Sequence, residues 1–416
     1  MLSREQNEPI TRTNAGTSLG RLMRRYWIPA LLAEEIPAPD CPPVQVRLLG
    51  EELVAFRDTR GRIGLLAENC LHRGTSLFYG RNEECGLRCI YHGWKYDVDG
   101  NVVDTPAEPA GSRFKDKLRH TAYPTHEAAG IIWAYLGPSE KKPLFPNYAY
   151  ALVPLERTFV TKSLLECNYL QGLEGECDSS HLSFLHREFH GEGLQKFYQA
   201  DTAPEYYTED TDFGVRLVAV RHPSPSETYV RVSSFVMPVG CWIPAGHRKE
   251  IHMYVPLDDE RAWRYDLVFN AERTITDAER YRRTMIEADY RRVRRKDNHY
   301  LQDRQAQRTK DFTGIDGFFN EDACATETMG PIYDRSREHL GQSDKGVIAV
   351  RRFILDAIKR HEAGEEAPHI LYDESANDMS HIDTLAEVIP AECHWRDHFP
   401  HLTVESPGKR RALATA

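Results

Sequence analysis

Short runs in which apolar and polar residues alternate fill the first third of the chain and predict β-strands. VQVRLLGEELVAFRDTRGRIGLL at 44–66 contains such runs separated by turns, and WKYDVDGNVV at 94–103 predicts a hairpin. The pattern indicates a small all-β domain over residues 1–140. The proline-rich stretch PSEKKPLFP at 138–146 is typical of the linker that would follow it.

The pattern changes beyond the linker, and we expect a second domain over residues 141–416. Strand-like apolar runs predict an antiparallel sheet and lie at 213–222, 227–240, 250–257 and 263–272. SDKGVIAVRRFILDAIKRHEAG at 343–364 predicts an amphipathic helix with an apolar stripe. Two further helices are predicted at 166–186, where glycines interrupt the pattern, and over the strongly charged stretch 277–296. The predicted fold class is therefore α+β, with a central antiparallel sheet flanked by helices.

Charge and cysteine content narrow the class of protein. The 416 residues carry a formal net charge of -10, which makes nucleic acid and anionic membrane surfaces poor partners. No apolar run is long enough to span a bilayer, and the first residues form no secretory signal. The nine cysteines are scattered and odd in number, unlike a disulfide framework. We therefore expect a cytoplasmic protein without nucleic-acid or membrane partners.

Two short motifs in the predicted β-domain combine cysteine with histidine: Cys70-Leu-His72 and Cys89-Ile-Tyr-His92. Each spacing lets one tight loop present a thiolate and an imidazole to the same metal centre. A tetrahedral zinc site would accept the same four residues, but zinc sites usually pair like ligands within one arm. One Cys and one His in each arm is the ligand pattern of a Rieske [2Fe–2S] cluster, which we therefore predict.

A second set of metal-ligand residue types follows at Asp178, His181 and His186. Asp178 and His181 are three positions apart and would share one face of a helix. His186 would reach the same metal only where that helix is widened or broken. Two histidines suit an iron(II) that still requires a carboxylate and keeps positions open for O2. We expect Glu174 and Glu176, in contrast, to be ordinary surface acids.

Together the two sets resemble the Rieske non-haem iron ring-hydroxylating oxygenases. CLHRGTSL at 70–77 and CIYHGWKY at 89–96 carry the resemblance in the first domain. NEDA through TMGPIYDRSREHLGQSD at 320–344, and RRYWIPA at 24–30 after the opening MLSREQNE, are similar to the phthalate dioxygenase branch. The resemblance covers nearly the whole chain. It implies a helix-grip-like catalytic domain, a Rieske cluster and a mononuclear Fe(II) in one oxygenase subunit.

The resemblance also assigns roles to single residues. It implies that the Rieske cluster is held by Cys70, His72, Cys89 and His92, and the mononuclear iron by His181, His186 and Asp322. Glu321 and Glu327 are the alternatives for the carboxylate. Asn168 and Asp178 match catalytic positions of the family.

In related enzymes the aspartate that matches Asp178 lies between an iron-ligand histidine and a Rieske histidine of the neighbouring subunit. That arrangement would place Asp178 between His181 and the neighbour's equivalent of His92. It implies a head-to-tail homotrimer, or two such rings stacked as a hexamer.

Members of this branch act on phthalates, chlorobenzoates, phenoxybenzoates and methoxylated aromatic acids, with electrons from an NAD(P)H-dependent flavin and iron–sulfur reductase. The resemblance therefore implies an aromatic carboxylate substrate, O2 as cosubstrate, and cis-dihydroxylation. A buried carboxylate needs a cation or several hydrogen-bond donors. The candidates are Arg216, Arg221, Arg231, His247 and Arg248.

Three other readings stay open at the level of the sequence. O-demethylation of a methoxylated aromatic acid uses the same iron site. A Rieske electron carrier would need no second iron, so the histidines at 181 and 186 argue against it. A binding module built on zinc would show neither the colour nor the absorption spectrum of an iron–sulfur protein.

Overall fold

The computed structural model describes residues 2–109, 111–245 and 248–403, with the backbone alone at Arg248 and Thr403. In the first part, helices α1 (Arg4–Thr11) and α2 (Ser18–Met23) precede three small antiparallel sheets. Their strands are β1 (Trp27–Leu32), β2 (Val44–Leu48), β3 (Glu51–Arg57), β4 (Ile63–Ala67), β5 (Arg81–Glu83), β6 (Gly86–Arg88), β7 (Lys95–Tyr96), β8 (Val102–Asp104), β9 (Thr125–Ala128) and β10 (Ile131–Tyr135). The sheet orders are β1-β10-β9, β2-β3-β4 and β5-β6-β7-β8. The predicted strands and the hairpin of β7 and β8 are confirmed.

One large antiparallel sheet organises the second part. Its strands are β11 (Thr158–Leu165), β12 (Glu205–Asp210), β13 (Gly214–Ser224), β14 (Glu227–Val236), β15 (Gly240–Ala245), β16 (Arg248–Pro256), β17 (Ala262–Phe269) and β18 (Leu385–Pro390). The order is β11-β17-β16-β15-β14-β13-β12, with β18 beside β14. In the register of β16 and β17, His252 lies opposite Asp266, so both side chains point to the same face.

Helices cover the sheet, which gives the predicted α+β architecture. They are α3 (Ala149–Leu152), α4 (Tyr169–Glu176), α5 (Leu194–Ala200), α6 (Ala306–Thr309), α7 (Phe318–Glu327), α8 (Lys345–Glu362) and α9 (Trp395–His398). The amphipathic helix predicted at 343–364 is α8, and its stripe of Val347, Val350, Ile354 and Ile358 is buried. Helices α1 and α2 pack against α8, and one apolar core joins Ile132 of β10 to Leu267 of β17. The domain boundary at residue 140 stays a prediction.

Two predicted helices are wrong in extent or kind. The helix expected over 166–186 is only α4, which ends at Glu176 and gives way to turns that include a 3-10 turn at His181–Ser183. The charged stretch 277–296 forms a 3-10 segment, Asp277–Met285, and then turns back on itself at Tyr290, whose φ is 63°. The reason is that two arginines of this stretch are drawn inward: Arg282 binds Glu250, and Arg292 binds Glu327. No helix among the described residues is both long and apolar enough to cross a lipid bilayer.

Candidate functional site

Two loops of the first domain have the same construction and carry the four predicted cluster ligands. In one loop the N–H of Gly74 donates to the carbonyl of Cys70 at 2.9 Å, and in the other the N–H of Gly93 donates to Cys89 at 3.1 Å. Both glycines have a φ of 75°, which side chains with a Cβ rarely adopt, so glycine permits these tight turns. The thiol of Cys89 interacts with that of Cys70, and the imidazoles of His72 and His92 lie side by side.

The surroundings of these four residues fit a [2Fe–2S] cluster. Cys70 and Cys89 are buried, each 3% exposed, and burial together with the neighbouring Cys70 raises the pKa of the Cys89 thiol. The rings of His72 and His92 lie 4.5 Å apart at the surface. The Nδ1 atom of His92 is buried and has no hydrogen-bond partner among the described residues, as expected of a nitrogen kept for a metal. Buried thiols with histidines towards solvent are the layout of a cluster that exchanges electrons at its histidine edge.

A second group of ligands comes together in the catalytic half. His181 begins the 3-10 turn, His186 follows it, and Asp322 lies on α7. One ligand atom from each of the three lies within 4.8 Å of the others. The Nε2 atom of His186 is 3.0 Å from Oδ1 of Asp322. Two imidazoles and one carboxylate on one side of a metal are the facial set used for non-haem iron(II).

The outer nitrogens of the two histidines face carboxylates, which leaves the inner nitrogens for a metal. Nδ1 of His186 is 2.6 Å from Oε2 of Glu321, whose second oxygen accepts the hydroxyl of Thr313. Nδ1 of His181 is 3.8 Å from Oδ2 of Asp178 and has no hydrogen bond to any residue that the structure describes. Helix α4 has ended before this point, so Asp178 and His181 meet through a turn rather than along a shared helix face.

Asp178 is itself held in place from two sides. Its Oδ1 accepts the N–H of Ser180 at 2.7 Å and the hydroxyl of Tyr206 at 3.2 Å. Burial opposes its ionisation, but the nearby His181 and these donors outweigh burial and lower the pKa of Asp178. The carboxylate is therefore ionised at neutral pH, with Oδ2 turned towards His181.

Charges of both signs surround the three ligands. Burial opposes charge on His186, yet the two acids beside it, Asp322 and Glu321, raise its pKa to about 9. Burial likewise opposes ionisation of Asp322, while His186 and Arg264 hold its pKa well below the usual range. An anionic Asp322 and histidines with two carboxylates behind them are a strong donor set for a divalent cation.

A cavity of about 300 Å³ opens onto this group. His181, His186 and Asp322 lie in its wall together with three arginines of the described residues: Arg231, Arg264 and Arg282. Arg264 and Arg282 are ion-paired with acids. Within the part of the chain that the structure describes, Arg231 has no carboxylate partner; it donates to the hydroxyl of Tyr198 at 3.3 Å and lies near the carbonyl of Pro244. A cavity that holds a metal site and an unpaired guanidinium suits an anionic organic ligand.

The structure places the other predicted residues elsewhere. Asn168 does not reach this group: its side chain caps α4 at Leu170 and donates to the carbonyls of Thr11 and Asp259, so its polar atoms hold the chain together. Of the alternative carboxylates, Glu321 supports His186 from behind, and Glu327 is bound by Arg292 and Tyr300 away from the cavity.

Of the remaining candidate substrate cations, two are already engaged and two cannot be placed. Arg216 bonds to Glu209 and to the carbonyl of Leu402, while Arg221 bonds to Ser179 and Asp201. His247 and the side chain of Arg248 lie outside the described residues.

The expectation that Glu174 and Glu176 are surface acids is wrong. Glu174 binds Arg335 at 2.8 Å and Arg351 of α8 at 2.6 Å. Glu176 lines the cavity and accepts the hydroxyl of Tyr254 at 2.7 Å. Gly172 allows this approach, because a Cβ there would come within 2.2 Å of the Tyr254 ring. Packing of α4 on β16 covers Glu176 and the two arginines cover Glu174, so their side chains are only 10% and 12% exposed.

Four charged residues of the site were not singled out from the sequence: Glu250, His252, Arg264 and Asp266. They alternate with apolar residues in β16 and β17, so all four point to one face of the sheet. The sequence does contain a pattern that identifies them: charged side chains occur at every second position of two neighbouring strands, where an apolar face is expected.

Known proteins resemble the chain over nearly its full length. A model of the Rieske [2Fe-2S] domain matches residues 26–123, and a model described as LigXa C-terminal domain like matches residues 134–411. The chain is 40% identical to the phthalate 4,5-dioxygenase oxygenase subunit of Pseudomonas putida, over 96% of this chain and 95% of that protein. It is 34% identical to the 3-chlorobenzoate-3,4-dioxygenase oxygenase subunit of Comamonas testosteroni, over 88% and 90%.

The fold agrees with these matches. A crystal structure of dicamba monooxygenase bound to 3,6-dichlorosalicylic acid superposes with a TM-score of 0.60 at 17% identity, covering 82% of this chain and 99% of that one. The N-terminal domain is a Rieske domain, and the catalytic domain has a cavity beside two histidines and an aspartate. Because the chain is also similar to oxygenase subunits over nearly its full length, it belongs to the Rieske non-haem iron oxygenases, an oxidoreductase family whose oxygenase subunits carry a [2Fe–2S] cluster and a mononuclear iron.

Proposed function

We propose that this chain is the terminal oxygenase subunit of a system that hydroxylates an aromatic carboxylate, by cis-dihydroxylation of the ring. The observation that carries the proposal is the cavity that joins His181, His186 and Asp322 to Arg231, a guanidinium with no ion pair among the described residues. The substrate class is that of the phthalate and chlorobenzoate dioxygenase relatives.

In this proposal His181, His186 and Asp322 hold the iron, and Cys70, His72, Cys89 and His92 hold the cluster. When bound, the iron activates O2 with electrons that the cluster delivers. The protein supplies the geometry: Glu321 orients His186 through Nδ1, and Asp178 faces Nδ1 of His181. Both imidazoles then present Nε2 to the same point.

Arg231 would orient the substrate. Its guanidinium is held by Tyr198 at one edge of the cavity, while the metal group lies in the same wall. A carboxylate bound there in bidentate fashion fixes the ring plane and directs one edge of the ring towards the iron. The aliphatic wall residues Leu182 and Ile243 offer an apolar surface to that ring.

The proposed assembly follows from the need to deliver electrons from the cluster of one subunit to the iron of the next. We propose a homotrimer, or two trimers stacked as a hexamer, in which Asp178 connects His181 to the neighbour's equivalent of His92. Both groups are accessible enough for this contact: the side chain of Asp178 is 26% exposed, and the loop around His92 presents the exposed Ile90 and Tyr91. An apolar rim around a histidine edge suits docking onto another subunit.

We also propose that an NAD(P)H-dependent flavin and iron–sulfur reductase supplies electrons to the Rieske cluster. We propose further that the protein is cytoplasmic. The nine cysteines are all unpaired in the structure, which fits a reducing compartment.

The direct test incubates the purified protein with a compatible reductase, NADH and a panel of aromatic acids that includes benzoate, phthalate, phenoxybenzoate and methoxybenzoate. A dihydrodiol of a carboxylated substrate is the expected product, whereas formaldehyde from the methoxylated acid would assign O-demethylation instead. Neutral amides of the same acids serve as matched substrates and should react at least about tenfold more slowly, because they lose the ion pair with Arg231. If the reduced cluster is re-oxidised but no organic product forms, the protein acts only as an electron carrier and the proposal is refuted.

Arg231→Gln tests the same ion pair by changing the protein instead of the substrate. It should raise the KM for the acid by about tenfold or more and leave the amide unchanged. Arg352→Gln, which removes a surface arginine paired with Asp210, is the control and should change neither.

A further inference from the structure

The two oxygens of Asp322 have different neighbours. Oδ1 is 3.0 Å from Nε2 of His186, which places it towards the point where the ligand atoms converge. Oδ2 is 2.9 Å from Nη1 of Arg264 and accepts a hydrogen bond from it. One oxygen is therefore free to bind a metal, and the other is already engaged by a cation.

Arg264 cannot easily turn away from this contact. Its Nε donates to Oδ1 of Asp266 at 2.9 Å, and its Nη2 lies 3.4 Å from Oε1 of Glu176. The side chain is 3% exposed, and the guanidinium lies over the ring of Tyr254 at 5.6 Å. Nη2 also contacts Nδ1 of His252 at 3.2 Å. A planar guanidinium that donates to two carboxylates and is ion-paired with a third has one orientation that keeps all these contacts.

The carboxylates that hold Arg264 are fixed in turn. Glu176 also accepts from Tyr254 and lies 2.8 Å from Nδ1 of His252. Burial opposes its ionisation, but the nearby His252 and Arg264 lower the pKa of Glu176. Asp266 is 1% exposed and sits on the same strand as Arg264, two residues on. Arg264 and Asp266 lie on β17 and Glu176 reaches them from α4, so a strand and a helix together hold the group.

We propose that Arg264 is a positioning residue that holds Asp322 as a one-oxygen ligand of the iron. The proposal rests on the iron site proposed above. A carboxylate that binds through both oxygens occupies one more coordination position than a carboxylate that binds through one. By retaining Oδ2, Arg264 keeps that position open for O2 at a metal that already has two imidazoles.

Cobalt(II) bound in the mononuclear site gives a readout besides activity, because X-ray absorption at the cobalt edge does not see the iron of the cluster. In Arg264→Met, Oδ2 is released and the cobalt should gain about one oxygen neighbour. A second sample of the same variant is loaded with iron, its cluster is reduced beforehand, and a single turnover is followed. The amount of product formed per reduced cluster should fall about 10- to 100-fold, while the Rieske absorption spectrum stays unchanged. Arg264→Lys retains a donor to Oδ2 and should restore the wild-type cobalt coordination.

Arg292→Met is the matched control, because Arg292 is equally buried and paired with Glu327 but does not contact Asp322. It should lower stability and leave cobalt coordination unchanged. If Arg264→Met does not fold, Asp266→Asn removes one support of Arg264 while the guanidinium stays, and a mixture of the two cobalt geometries is expected.

Two results would overturn the positioning role. One is wild-type cobalt coordination in Arg264→Met, or in Asp266→Asn where only that variant folds; the other is the same change of coordination in Arg292→Met. Wild-type protein that binds neither cobalt nor iron at this site would instead refute the proposed function, so the two failures are distinguishable.

Discussion

The two metal-binding regions of this chain are built in opposite ways. The Rieske loops take all their proposed ligands from two turns close together in sequence, and their histidines lie at the surface. The mononuclear site combines a turn after α4 with a helix far downstream, and His186 is 5% exposed. Around the first region the close neighbours are aromatic, such as Trp94 stacked on His72 at 4.8 Å. Around the second, Phe318 also packs on His186, but the hydrogen-bonding partners of His186 and Asp322 are charged: Glu321 and Arg264.

The difference follows from what each centre has to do. A centre that only passes electrons needs an accessible edge and a fixed cage, which two glycine-containing turns can provide. A centre that binds O2 and an organic acid must exclude water and keep coordination positions open, so its ligands need support from many directions. Changes in the first region should therefore alter electron energetics, and changes in the second should alter chemistry.

The largest effect is expected when the catalytic centre is removed alone. His181→Ala should abolish product formation, because two protein ligands do not hold the iron in its facial set. The Rieske absorption spectrum should be intact, since no cluster ligand changes. Product analysis and an ultraviolet–visible spectrum of the same sample check both halves, and full activity would show that the iron lies elsewhere.

Asp178→Asn cuts the proposed connection between the two regions while leaving both intact. Iron and cluster content should match the wild type, because Asp178 is not a proposed ligand. Electron delivery from the reduced cluster to the iron should slow on the order of 100-fold, as His181 loses the carboxylate that orients it. Stopped-flow single turnover of pre-reduced protein measures this rate. Unchanged turnover, or a fully active monomer, would contradict the bridge between subunits.

His92→Cys affects only the electron-transfer region. A second thiolate in place of a neutral imidazole adds negative charge to the cluster and should lower its reduction potential by hundreds of millivolts, towards the range of all-cysteine clusters. Potentiometric titration monitored by electron paramagnetic resonance gives the value. An unchanged potential in a variant that retains its cluster would show that His92 is not a ligand.

Glu174→Gln tests stability rather than chemistry. Burial opposes ionisation of Glu174, but Arg335 and Arg351 outweigh burial and lower its pKa below the ordinary 4.5. The substitution removes the negative charge that pairs with these two buried arginines. It should therefore lower the free energy of unfolding at pH 7 by about 3–5 kcal/mol. Because the folded pKa is depressed, the difference from wild type should persist above pH 4.5 and shrink as pH falls through the folded pKa. Urea unfolding at several pH values measures it, and a difference independent of pH would contradict the ion-pair account.

The same contrast explains what the sequence could predict. The Rieske loops were found from spacing alone, because all their ligands are local. The strands and α8 followed from periodicity. Asp322 required a family resemblance, since no local pattern connects it to His186. Glu176 and Arg264 were missed or misread because their roles depend on strand register and on the close approach that Gly172 allows. The stretch 277–296 failed as a helix for a similar reason, as distant acids draw its arginines inward.

The most direct measurement of the central claim, that one chain carries two different iron centres, is the ratio of iron to acid-labile sulfide in purified protein reconstituted anaerobically. Wild type should give about three iron atoms for every two sulfides, and a variant with His181 and His186 both changed to alanine should give about two for every two. The same two-to-two ratio in wild type would reduce the protein to an electron carrier, and zinc without sulfide would contradict both centres.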